Sequence, residues 1–235
     1  MPDPTRFVFF AGTHIPFHDR ELCRMLVRFI AAWRPDEVIH LGDLLDFPTP
    51  SRWGDREVAA FRSAVDEDCA IGKAFLGSIR EGHSGTLTVI AGAHDLRPAN
   101  SPIADTFSLA ESLGMIPIAG PYEFHPGWIA CCGDALRLDQ QAGLTALNGA
   151  KRFGKNVICG HTHRLGKISY SEGYEQNITR TLTGVEVGHL SDRRHVESSN
   201  SQQGIAIGEV VDGELIVTPI PARRKGFRLP GQLAI

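Results

Sequence analysis

The sequence predicts an α/β fold, and three observations carry that expectation. Short apolar runs rich in β-formers recur as far as about residue 160, each cut off by a glycine. Stretches with helical spacing of apolar residues lie between them. Beyond Gly166 the helical spacing stops, and strand-like runs separated by turn signals take over.

Arg6 to Phe10 reads as a first buried strand, ended by Gly12. Asp19 is placed to cap a helix from Arg20 to about Trp33, with Leu22, Leu26, Phe29 and Trp33 at helical spacing and Pro35 just beyond. Glu37 to Leu41 is a second strand, closed by Gly42. A longer helix runs from Asp55 to about Arg80. Its apolar stripe (Val58, Phe61, Val65, Cys69, Gly72, Leu76, Ile79) is accounted for by a core-facing surface, so no function is assigned to it. Leu87 to Ala91 is a third strand, stopped by Gly92. A proline-punctuated stretch follows with one short helix, Ile103 to Leu113. Trp128 to Cys132 and Asn156 to Cys159 are strands ending at Gly133 and Gly160, with a helix from Ala142 to Phe153 between them. Ile168 to Tyr170, Arg180 to Val185, Gly204 to Val211 and Glu214 to Ile220 are short strands, the last two joined by Asp212-Gly213. The tail from Pro221 is basic and reads as exposed.

Composition narrows the function classes. A length of 235 residues fits one domain: a motif-bearing α/β part (1–165), a β-rich completion (166–220) and a basic tail (221–235). With 42% hydrophobic and 22% charged residues, a disordered or fibrous chain is excluded. A formal charge of −3 argues against general nucleic-acid binding through phosphate contacts. No apolar run approaches the roughly 18 residues of a membrane helix, and Met1 to Arg6 is polar, so the expected location is cytoplasmic with no membrane partner. The five cysteines contain no C-x-x-C pair, which fits a reducing compartment.

The chemistry concentrates where the strands end. Successive loops offer His14, then Asp43 and Asp46, then His94 and Asp95, then Cys132 and Asp134, then His161 and His163. Loops at the carboxyl ends of parallel strands converge on one crevice, so these residues can meet. Imidazole and carboxylate together suit Zn, Mn, Fe or Ni, and two ions about 3.5–4 Å apart can clamp a phosphoryl group. Asp43, directly after a glycine, is the natural bridging carboxylate. His161 and His163, at i and i+2 in an extended segment, point the same way and can serve adjacent ions.

The ordered motifs "GTHIPFHD", "GDLLD", "GAHDLR", "CCGD" and "GHTHR", from Gly12 to Arg164, resemble the calcineurin-like metallophosphoesterase family. Glu186, Gly188-His189-Leu190 and "SQQG" are similar to small phage-encoded members. The resemblance implies a four-layer α/β/β/α sandwich with two central mixed sheets. It also implies a dinuclear metal site that cleaves phosphomonoesters or phosphodiesters, and it makes His94 the residue that protonates the leaving group.

The chain departs from the family pattern at three ligand positions. Gly12 stands where the first motif has Asp, Ala93 where the third has Asn, and Cys132 where a His precedes the glycine. His14, Asp43, His161 and His163 remain. The family pattern assigns His14, Asp43 and His163 to one ion, and three protein ligands plus water are enough for a catalytic zinc. It assigns Asp43, His161 and position 132 to the other. Cys132 is there either a thiolate ligand favouring Zn or a buried, inert thiol. With carboxylate charge lost, full occupancy by two ions is expected to be disfavoured.

Arg97 is either a contact for a substrate phosphate or a surface ion pair. Asp46 and Arg164 are candidates for orienting the imidazoles. His18, His40, His83, His125, His189 and His195 read as structural. The expectation is a metal-dependent phosphoesterase acting on a small phosphoester, with nucleotides and cyclic nucleotides among the candidates. The alternative is a catalytically impaired relative that binds a host protein or a nucleotide.

Overall fold

Each apolar run pairs into one of two mixed β-sheets stacked face to face. The computed structural model describes residues 5–47, 58–196, 198–224 and 226–229. The first sheet has six strands in the order β11-β10-β1-β2-β3-β4. They are β1 (Arg6–Phe10), β2 (Glu37–Leu41), β3 (Thr86–Ala91), β4 (Ile118–Ala119), β10 (Gly204–Val211) and β11 (Glu214–Pro221). β1 to β4 run parallel, and β10 and β11 add an antiparallel hairpin beside β1. The second sheet has five strands in the order β5-β6-β7-β9-β8. These are β5 (Tyr122–His125), β6 (Trp128–Cys131), β7 (Asn156–Cys159), β8 (Leu165–Tyr174) and β9 (Asn177–Val187). β6, β7 and β9 are parallel, with β5 and β8 antiparallel at the edges.

Side-chain alternation builds the layers. In β1, Val8 and Phe10 face the helices α1 (Arg20–Trp33) and α2 (Val58–Gly82), while Phe7 and Phe9 face the second sheet. A strand buried on both faces reads as a continuous apolar run, which is why RFVFF carries no polar alternation. In the second sheet, Ala130 and Ile158 point inward, and Cys131, Val157 and Cys159 pack under α4 (Leu144–Phe153). The result is the expected α/β/β/α sandwich. Among the described residues no helix is long and apolar enough to cross a membrane.

Several boundaries shift. α1 starts and stops as expected, with the Asp19 carboxylate accepting from Leu22 N at 3.0 Å. The start of the second helix at Asp55 lies outside the described residues, and α2 begins at Val58. The helix expected over Ile103–Leu113 divides into a 3-10 turn, Ala104–Thr106, and α3, Leu109–Leu113, which Ser108 caps. Ala142 lies outside α4 because Gly143, at φ +87°, turns the chain into the helix. β4 and β5 were not expected. The tail is not wholly exposed: Phe227 is buried against Phe29, with ring centroids 5.8 Å apart. All five cysteines are free and buried.

Candidate metal centre

Six loops reach the same end of the sandwich, each following a parallel strand: β1, β2, β3, β6, β7 and β9. The first three are laced together by backbone. Gly12 N donates to Gly42 O at 3.1 Å, His14 N to Asp43 O at 3.0 Å and Ile15 N to Leu44 O at 2.9 Å. Buried Asp95 ties the third loop to the second: its carboxylate accepts from the backbone N–H of Gly92 (2.8 Å), Asp43 (3.0 Å), Leu44 (3.3 Å) and Leu45 (2.8 Å). Burial and the Asp43 charge push its pKa up to about 7 against the pull of those donors. Buried His40, without a partner legible in sequence, joins Thr13 Oγ1 at 3.0 Å and accepts from Gly42 N at 3.3 Å.

The backbone itself is unusual here. Of the seven non-glycine residues with positive φ among those described, four are expected metal ligands: His14 (+49°), Asp43 (+57°), His161 (+68°) and His163 (+57°). Of the others, Arg34 caps α1, and Glu175 and Asp212 sit in hairpin turns. Left-handed conformations at ordinary residues cost energy and concentrate where function requires a precise side-chain direction.

The side chains form two clusters. In the first, His14 Nε2 and His163 Nε2 lie 2.9 Å apart. The Oδ1 atom of Asp46 accepts from His14 Nδ1 at 3.4 Å, from His94 Nδ1 through a short hydrogen bond, and from Arg97 Nη1 at 3.0 Å. In the second, Asp43 Oδ2 meets His161 Nδ1 at 2.9 Å, and the ligand atoms of Asp43, Cys132 and His161 all lie within 4.8 Å of one another. A Cβ at Gly92 would sit 2.3 Å from Asp43 Oδ1, and one at Gly42 would sit 2.6 Å from Cys132 Sγ, so both glycines are needed for this packing.

Electrostatics separates the clusters. Burial opposes ionisation of Asp43, but the His161 hydrogen bond and the surrounding imidazoles outweigh it and hold the carboxyl well below its usual range. Asp46 is depressed in the same way by His14 and His94. Burial and the neighbouring His14 and His189 rings push His163 down to about 3, so it is neutral. His161 is raised by its bond to Asp43. Burial, then the Asp43 charge, drives the Cys132 thiol far upward.

This donor set fits divalent metal. Two imidazole nitrogens 2.9 Å apart match ligands of one small ion, whose tetrahedral edge is roughly 3.3 Å for nitrogen at 2.0–2.1 Å. Asp43, ionised and wholly buried, offers the charge such an ion needs. The set formed by His14, Asp46 and His94 also lies within ligand distance. There both Nδ1 atoms and Arg97 already donate to one Asp46 oxygen, which is the pattern of an orienting carboxylate.

His14, Asp43, Asp46, His94, Arg97, His161 and His163 line one cavity of about 770 Å³, and Cys132 lies behind Asp43. Asp46 orients His14 and His94 as expected. Among the described residues no hydrogen bond joins Arg164 to an imidazole; its Nη2 donates to Gln140 Oε1 at 3.1 Å, and the residue borders the cavity. Arg97 forms the ion pair with Asp46 and also donates to Phe47 O at 2.7 Å. Asp134 is exposed and belongs to neither cluster. Two further residues support the site in ways the sequence does not show. Buried Glu186 accepts from Thr162 Oγ1 at 2.7 Å and Thr145 N at 2.9 Å, fixing the residue between His161 and His163. His189 stands beside Gly12 and His163. Its signal was a strand ending in Gly-His, as β7 ends before Gly160-His161.

The fold is that of the metallophosphoesterases. It matches Vps29 from Chaetomium thermophilum at a TM-score of 0.53 and 13% identity, covering 94% of this chain and 92% of that one. It matches a metallophosphoesterase from Sphaerobacter thermophilus at 0.50 and 14%, covering 92% and 87%. No family model matches the sequence. The sequence is 34% identical over 230 residues to the Gene 54 protein of Mycobacterium phage D29, covering 88% of this chain and 89% of that protein. It is also 34% identical over 233 residues to the Gene 54 protein of Mycobacterium phage L5, covering 89% and 90%. The chain belongs to this family of mycobacteriophage Gene 54 proteins.

Proposed function

We propose that this chain is a metal-dependent phosphoesterase that hydrolyses phosphomonoesters or phosphodiesters, with nucleotides and cyclic nucleotides as candidate substrates. The observation that supports it most is the left-handed backbone at His14, Asp43, His161 and His163, whose side chains meet in one cavity. His14, Asp43 and His163 are the residues that would hold one ion. A second position, formed by Asp43, His161 and Cys132, is weaker because Ala93 supplies no ligand. Divalent metal bound there supplies Lewis-acid neutralisation of phosphoryl oxygens.

The remaining steps belong to the protein. His94 Nδ1 donates a hydrogen bond to Asp46, so Nε2 is the atom that, after taking up a proton from solvent, would pass it to the departing oxygen. Arg97 Nη2 stands 3.4 Å from that Nε2, anchored through Nη1. An incoming phosphoester draws this free edge of the guanidinium onto its nonbridging oxygens and uncovers His94.

Turnover of p-nitrophenyl phosphate and bis-p-nitrophenyl phosphate with added Mn or Zn tests the reading. His94→Ala is expected to lower kcat about 10²–10⁴-fold. Wild-type turnover no higher than this variant would overturn it. A binding role, for a host protein or a nucleotide, is favoured by one observation, the buried and protonated Cys132 facing a position that Ala93 leaves short of a ligand. Metal content of the purified chain separates the two readings: nearly two ions per chain supports catalysis, and none supports binding alone.

A further inference from the structure

His189 has no assigned role, yet the fold holds it with care. It follows Gly188 at the end of β9 and is wholly buried. Its backbone lies between two ligand loops: His189 N donates to Gln202 O at 3.2 Å, Gln202 N to His163 O at 2.8 Å, and Leu190 N to Gly12 O at 3.1 Å. Its Nδ1 pairs with Ser191 Oγ at 2.9 Å. Its Nε2 is sealed from solvent and has no hydrogen-bond partner among the described residues. A buried polar atom of this kind calls for an explanation, and an unfilled ion or water position is one of the few available.

The surroundings say which. The His189 ring lies 5.0 Å from the His163 ring, centroid to centroid, and His163 Nε2 is 2.9 Å from His14 Nε2. A Cβ on Gly12 would lie 3.1 Å from His189 Cβ and 3.4 Å from His163 Nε2. The two histidines therefore close in on the place where a side chain at position 12 would begin. When His189 Nδ1 donates to Ser191, the Nε2 lone pair is free, which is the tautomer metal-bound histidines adopt when their other nitrogen is hydrogen-bonded.

We propose that His189 Nε2 is a ligand of the first metal position, taking the place of the carboxylate that Gly12 cannot supply. The position then comprises three imidazoles, His14, His163 and His189, with Asp43 alongside. One neutral nitrogen, giving a third imidazole, replaces a charged oxygen, which shifts its preference from Mn or Mg toward Zn. The proposal rests on the metal-dependent reading above.

Calorimetric titration of the metal-free full chain with ZnCl2 tests it, alongside visible absorption of the Co(II) form. Asn at 189 retains a group near Nδ1 for Ser191 but nothing at Nε2, whereas Gln places an amide oxygen near Nε2. His189→Asn is expected to weaken zinc binding at this position at least tenfold, and His189→Gln to weaken it less while shifting the Co(II) band as oxygen replaces nitrogen. Wild-type affinity in His189→Asn, with His163→Ala impaired, overturns the proposal and leaves the phosphoesterase reading standing. Absence of zinc binding in the wild type overturns both. If the Asn variant does not fold, an unchanged Co(II) spectrum in His189→Gln overturns the proposal on its own.

Discussion

The two ligand clusters line one cavity but are built for opposite conditions. Around Gly12, His163 and His189 are neutral before any ion arrives, because burial and the neighbouring imidazoles lower them to about 3 and about 4. Around Cys132 the shifts run the other way: the bond to Asp43 raises His161, and burial raises the Cys132 thiol. A metal bound at the first position displaces little; at the second it must displace protons. Substitution at Ala93 and Cys132 has thus left one position ready and the other conditional.

The largest consequence is a difference in pH dependence. Zinc affinity at the second position should rise about tenfold per pH unit for each proton displaced, up to about a hundredfold where both His161 and Cys132 give one up. At the first position His163 should add no such slope between pH 6 and pH 8, because its pKa of about 3 lies far below that range. Two-site calorimetry in buffers of different ionisation heat resolves both slopes, and equal slopes would erase the distinction. In the metal-free chain the signs also differ. His161, raised above 6.5, stabilises the fold in acid, and that contribution is lost as pH rises through its folded value. His163, lowered from 6.5, contributes a stability that is lost as pH falls below 6.5.

Asp43→Asn sharpens the comparison from the other side. The amide keeps the shape against Gly92 but loses the charge that both proposed positions use, so affinity should fall at both. The drop should exceed the roughly 10–100-fold that follows loss of a partner behind a ligand. Asp46→Asn should be selective. Asp46 orients His14 and His94 and does not contact the second cluster. Its replacement should cost about 10–100-fold in metal affinity at the first position and lower hydrolysis, with the second position changed by less than about threefold. Equal loss at both would show that the clusters are not separable.

The extent to which this was legible in the sequence follows from how each feature is encoded. Strands ended by glycine and helices with a stripe and cap state themselves locally, so β1, α1, β2, β7 and β10 lie where expected. β4 has two residues and β5 bends through an irregular pairing with β6; both owe their form to neighbouring strands. The candidate ligands His14, Asp43, His161 and His163 stand out in the sequence because each follows a strand and a glycine. What holds them does not. Thr162 is fixed by Glu186, 24 residues away, and Asp95 binds a loop about 50 residues upstream. Asp68 falls within the apolar stripe of α2 yet is buried at the cavity, its pKa raised to about 7 by burial, then by Glu67 and Asp46.

The smallest expected effect concerns the glycine that separates this site from its family pattern. Gly12 has φ +55°, and an added Cβ meets His189 Cβ at 3.1 Å, closer than ordinary contact. Restoring the carboxylate with Gly12→Asp therefore carries a left-handed penalty and a tight contact, together about 1–2 kcal/mol of stability in the metal-free chain. Urea unfolding with a chelator present measures it. Zinc should recover part of that loss in Gly12→Asp, since binding to the folded state alone stabilises it by mass action. A variant equally stable without metal would mean that the space between His163 and His189 already accommodates a carboxylate, and that the absence of Asp there is not enforced by packing.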